Sequence, residues 1–255
     1  MAVLKVFAGI IGLVWKLYIL IVFTLTALLS YPLITPLLTT TKNKKRAAKL
    51  FVWWSRVFRV LTFYPIKRVA NAKLPDGPFI IVANHASYLD IFLMPSLFPR
   101  TPILFLGKAE LLSYPLIKTY FKNLHIPVFR GNRLKAAKSV VKAKNEIKEG
   151  WSIVIFPEGG IHDGPKPDLA PFKRGAFQIA KNAGIPIVPV TFLNNFQLFS
   201  DPTEILGVAG PGISKVIIHP YLSADDIASL EVEELRQQCF DIIYNSLIER
   251  YPHLK

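Results

Sequence analysis

Apolar positions along this chain fall into three regimes. Residues 17–41 carry no charge, and 17–29 are almost wholly aliphatic or aromatic. About 20 such residues suffice to cross a bilayer as a helix. Pro32 and Pro36 interrupt the second half, so one straight helix through the whole run is not expected. Residues 47–64 form the second regime, a helix in which Phe51, Val52, Trp53, Trp54, Phe58 and Leu61 mix with Lys49, Arg56 and Arg59. Trp, Phe and Arg together suit a membrane interface; packing of the same aromatics on a globular domain is the competing account. From Asn71 onwards short apolar runs alternate with helix-like stretches. Strands are predicted at 79–83, 103–106, 126–129, 152–156, 187–192 and 216–219, and helices at 90–97, 114–122, 133–149, 175–182 and 231–251. This alternation predicts an α/β domain with a mixed, largely parallel sheet flanked by helices, preceded by a hydrophobic N-terminal membrane-binding helical motif. The expected division is 1–66 for the anchoring region and 67–255 for the α/β domain.

Composition sharpens the membrane reading. Hydrophobic residues make up 51% of the 255, and mean hydropathy is +0.35. Lys and Arg total 31 against 17 Asp and Glu, a formal charge of +14. Such a balance favours an anionic partner: nucleic acid, an anionic membrane surface or phosphorylated substrates. Apolarity combined with basicity turns the choice to membrane, and neither zinc-ligand spacing nor an aromatic RNA-binding motif is present, so no nucleic-acid partner is expected. Cys239 is the sole cysteine, which excludes an intrachain disulfide framework. With neither His-x-x-x-His nor paired-carboxylate spacing, no metal is expected.

Lys5 and Lys16 flank the start of the apolar region, and Lys42-Asn43-Lys44-Lys45-Arg46 follows its end. Three topologies compete. A single span would place the basic cluster, and with it the catalytic part, on the cytoplasmic side. A bent or paired helix would enter one leaflet and return. A cleaved signal peptide is the weakest, since the run is too long and has no clear small-residue cleavage site.

The chemistry-bearing residues cluster at strand ends, where open α/β sheets place ligands. Asn84-His85-Ala86-Ser87-Tyr88-Leu89-Asp90 follows the first buried strand. His85 exchanges a proton near neutral pH, and Asp90 can orient the imidazole and stabilise its charged form. Ser87-x-x-Asp90 also reads as a capping box, with Ser87 at the N-cap and Asp90 as a structural third residue. Five residues on a helix turn through about 140°, so the pair can meet only if His85 lies before the helix. Ile126 to Gly131 ends a strand-like run in Arg130, a phosphate clamp or a plain surface arginine. Phe156-Pro157-Glu158-Gly159-Gly160 turns out of another buried strand: the glycines admit a ligand to the backbone and Glu158 can bind a hydroxyl or cation, unless it is a tight turn with a solvated Glu. Lys173 and Arg174 precede a helix whose N-terminus also attracts anions; a solvated basic loop is the alternative.

Together these residues resemble the 1-acylglycerol-3-phosphate acyltransferases and related glycerolipid acyltransferases. That family carries a His-x4-Asp motif, matched by His85 to Asp90; a block similar to Gly107-Lys108-Ala109-Glu110-Leu111; a strand ending in Arg, here Arg130; a Phe-Pro-Glu-Gly block, here Phe156 to Gly159; and a late apolar-Pro block, here Ile185 to Val190. The match runs from about 75 to 192 in the expected order, and a hydrophobic N-terminal helical motif is familiar in the family. One departure stands out. The family block usually continues Thr-Arg-Ser, whereas this chain has Gly160-Ile161-His162.

The resemblance implies an acyltransferase that moves a fatty acyl group from acyl-CoA or acyl carrier protein, as co-substrate and without a cofactor, to the free hydroxyl of a lysophospholipid. Lysophosphatidate is the implied acceptor, and the bilayer, this acceptor and the acyl donor are the implied partners. It also implies His85 as base, Asp90 as its orienting partner, and neither a covalent acyl-enzyme nor a metal. Arg130 would hold the acceptor phosphate, Lys108, Lys173 and Arg174 are further phosphate contacts, and Glu158 with Gly159 would shape the acceptor site. The missing Arg leaves a different lysolipid acceptor open, as well as a membrane-anchored lipid-binding protein with a degenerate site. A hydrolase is more distant, because no Gly-x-Ser-x-Gly elbow is present.

Overall fold

The computed structural model describes residues 2–254 apart from 163 and 202; the side chains of 2–6, 41, 133 and 254, Lys5 among them, lie outside what is described. The N-terminal run forms α1 (Ala2–Ile34), a 3-10 turn at Thr35–Leu37 carrying Pro36, and α2 (Thr41–Leu61). Pro32 lies in the last turn of α1, so the chain reverses where the two prolines fall. Thr40 caps α2, its side-chain oxygen accepting the Asn43 N–H. The two helices pair antiparallel. Trp54 Nε1 donates to Thr26 Oγ1 at 3.0 Å, and the Tyr18 hydroxyl donates to the Leu61 carbonyl at 2.6 Å.

One face of α1 is covered along its length. A Cβ at Gly12 would lie 2.8 Å from the Gly207 carbonyl, so the glycine lets a later loop rest on the helix backbone. Lys16 Nζ donates to Ser200 Oγ at 2.9 Å, and the Tyr31 hydroxyl meets Thr119 Oγ1 at 3.0 Å. The other face exposes Phe7, Ile10, Val14, Leu17, Ile21 and Leu25, among others. By length and composition this helix is apolar enough to cross a membrane.

The remainder is a seven-stranded sheet, β1 (Ile66–Asn71), β2 (Ile80–Ala83), β3 (Ile103–Lys108), β4 (Ile126–Val128), β5 (Ser152–Ile155), β6 (Ile187–Phe192) and β7 (Ser214–Ile218), in the order β1-β7-β6-β2-β5-β3-β4. Only β6 and β7 pair antiparallel, so the sheet is mixed and mostly parallel. Helices α3 (Leu89–Leu97), α4 (Pro115–Leu124), α5 (Arg133–Lys148), α6 (Gly175–Ala183), α7 (Asn195–Leu198), α8 (Ala224–Ser229) and α9 (Val232–Arg250) complete it. Sequence patterning misses β1, an edge strand whose Lys67 and Arg68 are exposed and break any apolar run, and the two short helices α7 and α8.

Strand β2 is buried on both faces, which is why it reads as an unbroken apolar run. Ile80 and Val82 join Trp151, Phe177, Leu235 and Ile243 beneath α5, α6 and α9. Ile81 and Ala83 face Met94, Phe98 and Val190 under α3. A third cluster packs Ile19 of α1 and Trp54 and Phe58 of α2 on Leu89 and Leu93 of α3. Ser55 Oγ donates to the Phe92 carbonyl at 2.6 Å. The helical hairpin therefore braces the helix that carries Asp90. Truncating a buried Phe such as Phe58 costs about 3–5 kcal/mol in general, so this joint is a strong one.

Candidate active site

Strand order decides what meets what. Strands β2, β5, β3 and β4 lie side by side and parallel, so their carboxyl ends share one edge. His85 and Asp90 follow β2, Glu158 and Gly159 follow β5, Lys108 ends β3, and Arg130 follows β4. The predicted residues at these four strand ends thus form a row from His85 to the cations.

His85 lies in the turn between β2 and α3, which allows it to meet Asp90. Its Nδ1 is 3.0 Å from Asp90 Oδ2. A carboxylate only accepts, so Nδ1 carries the proton, and in the neutral imidazole the lone pair is on Nε2. The fully buried Asp90 is saturated: Oδ2 also accepts the N–H groups of Ala86 and Ser87, both at 2.9 Å, and Oδ1 accepts Asn195 Nδ2 at 2.8 Å. Ser214 Oγ in turn donates to Asn195 Oδ1 at 2.6 Å. Only part of the capping box forms. Asp90 binds back to the Ser87 N–H, but the N-cap is Tyr88, and Ser87 Oγ donates to the Phe199 carbonyl while accepting from the Leu89 N–H. The Asp90 carboxylate therefore both orients the imidazole and closes the helix start.

Phe156 stacks on the His85 ring at 4.2 Å between centroids. Glu158 is nearly buried; Oε1 accepts the His85 backbone N–H at 2.7 Å and Oε2 the Ala170 N–H at 3.0 Å. Burial raises the Glu158 carboxyl above the usual range, and those two N–H groups, with His162 and His85, oppose the shift. Glu158 thus fixes the His85 loop to the loop before α6, rather than standing as a solvated carboxylate. Asn84 adds a second tie, exchanging two hydrogen bonds with the Phe192 backbone.

Cations gather beyond Glu158. A Cβ at Gly159, which has φ of 86°, would lie 2.5 Å from Lys173 Nζ and 3.2 Å from Arg130 Nη2; at Gly160 it would lie 2.6 Å from Lys108 Nζ. Lys108, Arg130 and Lys173 therefore converge on the turn where side chains are missing. Burial, then the nearby Arg130 and Lys108 charges, lower the Lys173 ammonium below the usual lysine range. Mutual repulsion of this kind is relieved by a bound anion. Gly160, standing where the resemblance leads one to expect Thr, leaves its space to Lys108. Arg174 is not part of the cradle: it is exposed and its Nε lies 3.8 Å from Glu233. His162 is held locally, accepting from the Gly164 N–H at Nδ1 and donating from Nε2 to the Asp168 carbonyl. Among the described residues, no group of three or more His, Cys, Asp or Glu is placed to hold a metal ion.

Sequence reasoning missed Asn195 and Ser214, and although Phe156 stood in a recognised block its stacking on His85 was not foreseen. Asn195 is 105 residues from Asp90, and Asn is common enough that nothing marks it before folding.

Gly159→Ala is expected to place a methyl group among the cation heads and to force a non-glycine residue into the left-handed region. The expected outcome is about a tenfold weaker hold on an anionic ligand and a loss of about 1–2 kcal/mol in stability, read by ligand titration and chemical denaturation.

A mostly parallel α/β sheet with a buried His–Asp pair at one strand end and a cation cradle along the same edge is the architecture of an α/β enzyme with room for an anion. The acyltransferase family model matches residues 66–193, just over half of the chain, and the chain belongs to that family. It is 29% identical over 233 residues to a 1-acyl-sn-glycerol-3-phosphate acyltransferase of Chlamydomonas reinhardtii, covering 87% of this chain and 68% of that protein. It is 28% identical over 236 residues to the enzyme of that name from Saccharomyces cerevisiae, covering 91% and 76%. The crystal structure of the 1-acyl-sn-glycerophosphate acyltransferase PlsC from Thermotoga maritima matches with a TM-score of 0.76 at 25% identity, covering 95% of this chain and 97% of that one.

Proposed function

We propose that this chain transfers a fatty acyl group from an acyl thioester, acyl-CoA or acyl carrier protein, to the free hydroxyl of lysophosphatidate, giving phosphatidate. The observation that carries this reading is the convergence of Lys108, Arg130 and Lys173 on the Gly159–Gly160 turn, along one sheet edge from the His85–Asp90 pair. A phosphate monoester brings more negative charge than a zwitterionic headgroup, and three cations suit it. The relatives named above are called 1-acylglycerol-phosphate acyltransferases, which supports the acceptor.

In the proposed reaction His85 Nε2 takes the acceptor hydroxyl proton as the oxygen attacks the thioester carbonyl. Asp90 stabilises the imidazolium through Nδ1. The thiolate leaves as the carbonyl re-forms, and the imidazolium proton goes to the thiol sulfur. Phe156 holds the ring in plane and keeps water from one of its faces. Both organic products are accounted for without a covalent enzyme intermediate.

The same reading seats α1 in the bilayer with the catalytic domain on the cytoplasmic side. A helix docked on protein along one face and apolar along the other suits partial insertion in one leaflet better than a free span. There the long-chain substrates reach the site without leaving the lipid.

An assay of the full chain in detergent, with acyl-CoA and either lysophosphatidate or lysophosphatidylcholine, tests this by reading thiol release and new ester separately. Ester formation is expected with lysophosphatidate, at least tenfold faster than with lysophosphatidylcholine, given about 1.5–3 kcal/mol for one charge-assisted contact. Thiol release with free fatty acid and no ester would overturn the reading in favour of hydrolysis, and no thiol release would favour a lipid-binding module.

A further inference from the structure

The C-terminal end of α2 carries a feature the reaction does not use. A cavity of about 500 Å³ is lined by Arg59, Val60, Phe63, Pro65, Ile66 and Ile213, with Gly212 in its wall. It is bounded by the start of β1, with β7 and β6 lying between it and the end of β2 that carries His85. Its chemistry is one-sided. Arg59 Nε is buried and has no hydrogen-bond partner. Burial, then the charges of Arg56 and Arg68, lower the Arg59 guanidinium below the usual arginine range. Among the described residues none of these three arginines forms an ion pair with a carboxylate. Arg68 is occupied by the Leu97 carbonyl and Asn71. A buried guanidinium N–H without an acceptor is costly, and an anion at this half-buried arginine would offset that cost.

The rim is apolar. Val60 is 69% and Phe63 60% exposed, and Ile213 is also exposed. Phe63 is unusual in its backbone as well. Helix α2 ends with Tyr64 N–H bonded to the Arg59 carbonyl and Phe63 N–H to the Val60 carbonyl, a helix stop that places Phe63 in the left-handed region. Its φ is 54°, where glycine would sit without strain. The Phe63 carbonyl accepts the Gly212 N–H at 3.2 Å, holding the turn over the cavity. The conformation is strained for a residue with a side chain, yet a large ring is presented there to the outside. The ring lies 6.5 Å from Trp15 of α1, so the rim adjoins the apolar helix.

Resting on the membrane seating proposed above, we propose that this cavity binds the phosphate diester of an anionic membrane phospholipid, one that is not a substrate, with Arg59 on the phosphate and Val60, Phe63 and Ile213 against the acyl chains. Charge complementarity selects the anionic headgroup, and the exposed rim beside α1 selects a lipid over a soluble phosphate. The site would fix the depth and tilt of the hairpin that braces α3.

Native mass spectrometry of the full chain in detergent, titrated with dioleoylphosphatidylglycerol, tests the proposal. The wild type is expected to retain a lipid that Arg59→Gln holds about tenfold more weakly, from the loss of charge-assisted contacts. Phe63→Gly removes backbone strain and so keeps the fold, yet is expected to weaken retention severalfold. Dioleoylphosphatidylcholine is expected to be held more weakly than phosphatidylglycerol, and inorganic phosphate at equal concentration is expected not to displace the lipid. Retention by Arg59→Gln equal to the wild type, or displacement by inorganic phosphate, would overturn the proposal. Acyl transfer is read in the same samples: both variants are expected to stay within about twofold of the wild type in detergent. Absent transfer in the wild type would sink the acyltransferase reading and leave lipid retention readable.

Discussion

His85→Ala is expected to lower acyl transfer by at least 10²–10⁴-fold, the contribution of a positioned general base, while leaving the fold and membrane association intact. The separation of effects follows from the geometry. The imidazole supplies one of four donors to the Asp90 carboxylate, and the Ala86, Ser87 and Asn195 donors remain when it is removed. The His85 backbone N–H, which holds Glu158, is untouched by the substitution. What is lost is a ring stacked on Phe156 and the lone pair on Nε2. The measurement is initial rate of ester formation against a circular dichroism melt and vesicle co-sedimentation of the same preparation. Transfer at an undiminished rate in a folded His85→Ala protein would refute the base assignment.

Asp90→Asn is expected to be nearly as damaging to activity and far more damaging to stability. Oδ2 accepts three N–H groups and Oδ1 a fourth, so both faces of this carboxylate meet donors. An asparagine must turn its NH₂ towards one set or the other. Facing Asn195, it confronts an amide held with its oxygen on Ser214. Facing the loop, it confronts three donors and forces the imidazole out of its tautomer. Either choice leaves buried donors unpaired, at about 1–3 kcal/mol each, so a total loss of about 2–5 kcal/mol is expected. Activity is expected to fall about 10²–10⁴-fold, because Nε2 is no longer assured as the basic atom. Urea denaturation and steady-state kinetics check the two parts. Asn195→Ala serves as the intermediate case: it removes one donor from Oδ1, leaves Oδ2 and the imidazole paired, and should lose less on both scales. An Asp90→Asn protein as stable and active as the wild type would show that the carboxylate is only a helix-start residue.

These two expectations concern different links of the same chain of cause. His85 performs the proposed chemistry, whereas Asp90 joins that chemistry to the architecture through the start of α3. Helix α3 in turn is packed beneath α2, with Phe58, Leu89 and Leu93 fully buried at the joint. A lipid that changes the seating of the hairpin therefore acts on the helix that presents Asp90.

Much of the α/β domain was legible along the chain. Strands β2, β5 and β6 are buried throughout, and a segment buried on both faces has no choice but to be apolar at every position. Edge strand β1 was not legible, because exposed Lys67 and Arg68 are written there as they would be in a loop. The row of candidate residues at strand ends was also visible, since a polar residue directly after an apolar run marks where the strand leaves the core. Lys173 and Arg174 were indistinguishable, as adjacent cations before one helix. In the fold one turns to Gly159 and the other to Glu233.

The local alternation of apolar and polar residues, by itself, determined the class of fold, the strands whose ends carry His85, Lys108, Arg130 and Glu158, and an N-terminal helix with more apolar surface than its own domain covers. Tertiary structure alone decided that β2, β5, β3 and β4 are neighbours, that Asn195 completes the Asp90 carboxylate, that the first two helices pair and brace α3, and that the Nε of the half-buried Arg59 has no acceptor. Burial is a property of each residue with its near neighbours in the chain and is therefore recorded locally. Which strand lies beside which, and which side of a turn a cation faces, are settled by contacts between segments as many as a hundred residues apart, and no single segment carries that information.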